Sequence, residues 1–560
     1  MAQQTSFTMV VSLEFDKIYT GIARPSIPSL FVGIPTNSIM EVIGHFNAMI
    51  YTNEMEDKVQ MDILRVWLGR LPHALVRSVS SAIAQIVVQN GRFVFYSNQT
   101  SLLFIEKALS NYNPGETRNL TPIEEESIFK AYLLVAQEWI DNQKKSFDTI
   151  KLNSPEEIVK FALPVILPFD DLKSFRDFRW QIYKAIKLFK YFDNHPVLNT
   201  HLKLFYDHYK VKDWNNYLLH IVGSIVNLFQ AGSKSILLTE KDDPINQIMD
   251  QLSIDIPSYS TKIDFIGLRE KPVYKCAECR YVIYNYSLFI DKIFQAIQFD
   301  FGNILKLNGI VKSIPDFKSS FISKYFFEQF FLYNEVSYII GNRKKSVSFN
   351  GAEWEKQTGV EGPDYYARCG TKLFLTEFKD AIFKAEAKLS HNFDEIKVEL
   401  NKKLKENEKG SPKGISQLAS WVNEITEKGI EFDKFDINEI NIYPLLIITD
   451  EAYNSFGINY LMNVEYRSLL TQKANSRSEN LIIIHIDKII ELQDLLHDKK
   501  APIQWLLDWY IQYTSKPNSP LDRFLSFSHF ISGELHRRGY KYNSFPRELE
   551  KELPQLFKSA

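Results

Sequence analysis

Residues Glu361 to Ala381 read EGPDYYARCGTKLFLTEFKDA. Two carboxylates, Asp364 and Glu377, flank a candidate turn, and Lys379 follows two residues after the second. Carboxylates beside an amine can hold a divalent cation, relay a proton or form an ion pair. The spacing narrows the choice. With Gly370-Thr371 as a two-residue turn of type II′, Asp364 falls opposite Glu377, with Cβ atoms about 4.5–5.5 Å apart on one face. Alternation sends Leu373, Leu375, Glu377 and Lys379 one way and Phe374, Thr376 and Phe378 the other. The strand is thus apolar on both faces until acid and base emerge at its end. Like charges opposed in a sheet destabilise it, so positive charge belongs between them, from Lys379 or from a divalent cation. A slip of one residue in register would spoil this geometry.

The flanking elements must position that hairpin. KYFFEQFFLY (Lys324 to Tyr333) reads as a helix carrying Glu328 among aromatic neighbours, and VSYII and then SVSFN read as strands. After the hairpin come a lysine-rich helix and a second helix, KGISQLASWVNEI, which carries Gln417. IYPLLIIT is a continuous apolar run suited to a buried strand, and NLIIIHIDKIIELQDLL gives a strand followed by a helix. This order describes an α/β layer domain over residues 301–500. Residues 1–300 read as mainly helical, with two marked helix starts: Thr121-Pro122 with Glu124, and Ser154-Pro155 with Glu157. Residues 501–560, with IQWLLDWYIQY, read as a helical extension.

Composition excludes several classes. A chain of 560 residues exceeds one ordinary core. With 45% hydrophobic and 24% charged residues it is globular, and a net charge of −2 gives no general attraction to a polyanion. Any nucleic-acid contact therefore needs metal ions, a partner subunit or a local patch, such as the basic GNRKKS run at Gly341 to Ser346. Three cysteines make no disulfide framework. The single C-x-x-C pair, Cys276 and Cys279, lacks the other ligands of a structural zinc site. No apolar stretch reaches the ~18 residues of a membrane span, and the amino terminus has no signal-peptide pattern; a cytoplasmic location is expected. P-loop, dinucleotide-binding, H-E-x-x-H and G-x-S-x-G patterns do not occur.

Glu328 on a helix, Pro363-Asp364 and Glu377-Phe378-Lys379 together resemble the PD-(D/E)XK nuclease superfamily, with its restriction-endonuclease-like fold. E-x-K alone is uninformative, since it recurs at Glu56, Glu386 and Glu395. Only Glu377 ends an apolar strand and follows a Pro-Asp and a turn at hairpin distance. The resemblance covers roughly residues 300–500 and implies an α/β/α domain with a central mixed sheet. It implies that Asp364 and Glu377 bind catalytic Mg²⁺ (Mn²⁺ substituting), with Glu328 completing the metal site. Lys379 would assist the attacking water, or accept its proton if its pKa is depressed, and Gln417 would support the site. Glu335 or Glu361 could replace Glu328 as ligand. The expected activity is phosphodiester hydrolysis by a Mg²⁺-dependent endonuclease, DNA favoured over RNA, in prokaryotic restriction or antiphage defence. A homo-oligomer or a partner protein subunit is expected, and the helical region would serve sensing, specificity or partner binding. The alternative is a catalytically inactive scaffold of the same fold within a defence complex.

Overall fold

The computed structural model describes residues 11–52, 54–90, 93–144, 154–172, 177–231, 235–341, 346–497 and 502–558. Helices dominate up to Gln295–Leu307, interrupted by a small antiparallel sheet of Ile236–Leu238, Arg280–Ile283 and Val273–Ala277. Both helix starts form as expected. Thr121 and Glu124 exchange side-chain bonds with each other's backbone N–H at 3.4 and 2.9 Å, opening Pro122–Lys144. Ser154 and Glu157 form the same reciprocal cap for Pro155–Asp171.

The later half is built on a five-stranded mixed sheet of strands β1 (Ser346–Asn350), β2 (Tyr365–Cys369), β3 (Lys372–Lys379), β4 (Asn441–Ile448) and β5 (Ile482–His485). They lie in the order β5-β4-β3-β2-β1; β1, β2 and β3 are antiparallel neighbours, while β3, β4 and β5 run parallel. Parallel strands are covered on both faces, which is why β4 and β5 read as nearly unbroken apolar runs. One face buries Phe374, Phe378, Tyr443, Leu445 and Ile484 in a core shared with helices Phe178–Asn194, Ile486–His497 and Ile503–Ser515. The other buries Leu373, Leu375, Ile442, Leu446 and Ile483 against Phe393–Leu404, Gly414–Lys428 and Ile458–Ser468. The result is three layers, helices on sheet on helices, and β3 runs through the centre.

One expected strand is helical. VSYII falls within Tyr333–Val336 and Ser337–Gly341, which prolong the helix Lys318–Leu332. Val336, Ile339 and Ile340 are buried. Their spacing of three and four residues is a helical stripe, and it outweighs the strand preference of β-branched side chains. The stripe faces Thr376, Leu445, Ile447 and Ile484 of the sheet, and Tyr338 beside it stacks on His497 of Ile486–His497 at 4.0 Å. GNRKKS falls largely outside the described residues.

A candidate active site at the end of the central strand

The β2–β3 hairpin sets the geometry. Gly370 has φ +63 while Thr371 is not left-handed, which is the type II′ pattern. The register pairs Cys369 with Lys372 and Tyr365 with Thr376. β3 outruns β2 beyond Thr376, leaving the Phe378 N–H without a strand partner on that side. The Asp364 carboxylate fills the gap, accepting that N–H at 2.7 Å. Asp364 thereby lands beside Glu377, the residue it would have paired with had the ladder run one step further.

Glu377 is 1% exposed. Its Oε2 accepts Lys379 Nζ at 3.2 Å, and its Oε1 has no hydrogen-bond partner among the described residues. An unsatisfied buried carboxylate oxygen is costly. The Lys379 side chain keeps 19% exposure, so the pair sits at an opening and is not the surface salt bridge a solvated strand would carry. The helix Lys318–Leu332, wound with the wider i→i+5 hydrogen-bond pattern, packs Phe327 on Phe378 with ring centres 5.1 Å apart. This brings the next residue, Glu328, into the field of Asp364 and Lys379.

The electrostatics follow from crowding. Burial, then repulsion from Asp364, raises the Glu377 carboxyl well above the carboxylate range, against the pull of Lys379. Burial also raises Asp364, opposed by Lys379 and the Phe378 N–H. Glu328 is pushed up to about 8 by burial and by Asp364, with Lys379 and Lys324 pulling the other way and Glu361 adding repulsion. Burial would lower Lys379, but Glu377, Asp364 and Glu328 outweigh it and raise its pKa. With only these acids around it, Lys379 is held as a charged donor toward Glu377.

No family model, no curated protein and no solved structure matches this chain. The reading rests on the geometry.

The expected residues divide accordingly. Asp364, Glu377 and Lys379 meet, and Glu328 joins them through its field. Gln417 is engaged at the start of its own helix, where its Oε1 accepts the Gly414 N–H at 2.8 Å. That helix start lies over β4: a Cβ on Gly414 would stand 3.4 Å from Leu446, the register partner of Glu377. Glu335 is elsewhere, bonded to Tyr183 at 2.6 Å and to Gln493, so it is no substitute ligand; Glu361 does act on Asp364 and Glu328. Among the described residues no three His, Cys, Asp or Glu side chains form a ready metal cage, and Cys276 and Cys279 are free thiols. The hard oxygens of Asp364 and Glu377, with the orphaned Oε1, nonetheless fit Mg²⁺, which takes one or two carboxylates and keeps several waters.

One residue, Asp380, escaped sequence reasoning. Asp380 accepts Ser323 Oγ at 3.1 Å and Thr449 Oγ1 at 2.8 Å and pairs with Lys318 at 3.1 Å. It ties the Glu328 helix to the ends of β3 and β4, and its place directly after Glu377-Phe378-Lys379 was the available signal. Lys413 is lowered by burial and by the like charges of Lys403, Lys379 and Lys402. These lysines belong to the lysine-rich segment already apparent in the sequence, where Lys402 and Lys403 pair with Glu408 and Glu399; what the local pattern did not show is that Lys413 stands in the field of Lys379.

Proposed function

We propose that this chain is a metal-dependent nuclease of the PD-(D/E)XK type that hydrolyses phosphodiester bonds, DNA in preference to RNA. One observation carries the reading. The buried carboxylate of Glu377 and the half-buried one of Asp364 lie side by side at the end of a central strand, next to a charged lysine, and the described residues give Glu377 Oε1 no donor. The sheet order, three antiparallel strands continued by parallel ones and covered on both faces, supports the same reading.

Asp364 and Glu377 would hold Mg²⁺, with Glu328 at the margin. The ion, when bound, supplies positive charge for the phosphate and acidity for the attacking water. Asp364 is pinned by the Phe378 N–H, so its carboxylate is presented without reorganisation. Lys379, kept protonated, donates to the water or a phosphate oxygen and orients it. Lys413, with no carboxylate partner among the described residues, offers an adjoining phosphate a cation, which a chain of net charge −2 needs locally. A role in prokaryotic restriction or antiphage defence belongs to the same proposal, with the helical region as sensor or specificity element.

Incubation of the purified protein with circular and linear DNA and RNA, in Mg²⁺, Mn²⁺ or EDTA, tests this. Cleavage in Mg²⁺ or Mn²⁺ that EDTA stops, and that Glu377→Ala and Lys379→Ala both lose, is the expected result. Cleavage surviving both substitutions would remove the site assignment. The second reading, an inactive scaffold, is favoured by the Glu377–Lys379 ion pair, which closes the site on itself; it expects no cleavage in any of these mixtures.

A further inference from the structure

A cleft of about 1010 Å³ lies apart from the acid site, at the top of the size range of small-molecule pockets. Its walls come from helices Asn98–Ser110, Pro122–Lys144 and Pro155–Asp171, from the segment around Asp264, and from the turn leading into Phe393–Leu404. Two independent features single it out. Among the described residues five non-glycine residues have positive φ, and three of them, Asp264 (+58), Phe265 (+57) and His391 (+54), line this cleft. Such backbone costs of order 1–3 kcal/mol per residue and clusters at ligand sites. In addition, Gln99 is 1% exposed, yet its Oε1 has no partner among the described residues, and neither has Trp139 Nε1. An acceptor and a donor thus stand unpaired on two of the helices that line the cleft.

The lining chemistry defines the ligand. Trp139 packs edge-on to His391 at 5.2 Å, and Lys160 Nζ lies 5.9 Å above the Phe393 ring. These three rings are only half buried. Lys107 and Lys262 are committed to Glu138 and Glu270, whereas Lys160 has no carboxylate partner among the described residues. Rings to stack on, an unpaired donor and acceptor to read an edge, and one uncommitted cation suit a planar heterocycle carrying an anion.

We propose that this cleft binds a nucleotide, the base against Trp139, His391 and Phe393 and the phosphate on Lys160. The inference does not rest on the hydrolytic reading, and it is tested with the acid site silenced by EDTA. Titration calorimetry of the full chain with AMP, GMP, CMP, UMP, adenosine, inorganic phosphate and a short single-stranded DNA oligonucleotide separates the contributions. At least one mononucleotide should bind, more tightly than adenosine or phosphate alone. Lys160→Glu, at an exposed position, should weaken that binding about ten-fold or more and Phe393→Ala likewise, a loss of about 1.4 kcal/mol each, with far-UV circular dichroism unchanged. If only the oligonucleotide binds, with the same two sensitivities, the ligand is a nucleic-acid end and the pocket assignment stands. No binding of any nucleotide, or binding that both variants leave within ten-fold, would overturn it.

Discussion

Two of the charged clusters among the described residues are built on opposite rules. In the first, Lys388 bonds Asp171 at 2.6 Å and Asp264 at 2.8 Å, while Arg269 bonds the same two acids at 2.7 and 3.3 Å. Two cations meet two carboxylates, and both acids are doubly held. In the second, Asp364, Glu377 and Glu328 share Lys379, and no donor among the described residues reaches one oxygen of Glu377, which faces Asp364. Both clusters incur desolvation, but only the first recovers it within the protein. A satisfied cluster is a fastening between segments distant in the chain. An unsatisfied one is tolerated when something outside the chain completes it, which is why the second is the candidate site.

The contrast can be broken most sharply by chemistry. Glu377→Ala and Lys379→Ala should each lower Mg²⁺-dependent cleavage on the order of a thousand-fold while gel-shift affinity for nucleic acid changes little; equal loss from Asp171→Ala at matched folded fraction would erase the distinction between the clusters. Stability should respond in the reverse sense. Asp171→Ala strands Lys388 and Arg269 and should cost about 3–5 kcal/mol in urea unfolding, whereas Glu377→Gln, measured in EDTA, should leave the midpoint unchanged or raise it.

Acidity sharpens the comparison further. Glu328 is raised to about 8 in the folded chain, so between its unfolded value near 4.5 and about 8 the native state holds a proton that the unfolded state has released. Its contribution is greatest below 4.5 and is lost as pH rises through 8. Thermal unfolding in EDTA should therefore show a shallower decline over that window in Glu328→Gln than in the parent, and an identical pH profile would place Glu328 outside the cluster. Mg²⁺ affinity, read by calorimetry, should strengthen with pH, because the ligands must lose protons. The smallest effect is expected at Gln417→Ala, which removes the Gly414 N–H acceptor and should cost about 0.5–1 kcal/mol without a change in metal affinity.

Much of the site was legible because it is local. Gly370-Thr371 dictates the turn, the turn dictates the register, and the register puts Asp364 at Glu377; the reciprocal caps at Thr121 and Ser154 are read in the same way. Segment VSYII was misread because β-branched content and helical spacing point in different directions, and tertiary packing settled it. The fastening of Lys388 to Asp171 spans 217 positions, and no local pattern encodes such a meeting. The raised pKa of Lys379 was equally hidden, since it depends on how many acids converge on it rather than on any one neighbour.

The hairpin that joins Asp364 to Glu377 acts as a ruler. Its tip is exposed at Gly370, so side chains there are open to exchange provided the backbone can still reverse. Adding or deleting a single residue is another matter. It would turn one acid toward the opposite layer and uncouple Asp364 from the Phe378 amide in the same stroke. Descendants of this chain should accordingly vary in spelling at that tip and hold its length fixed.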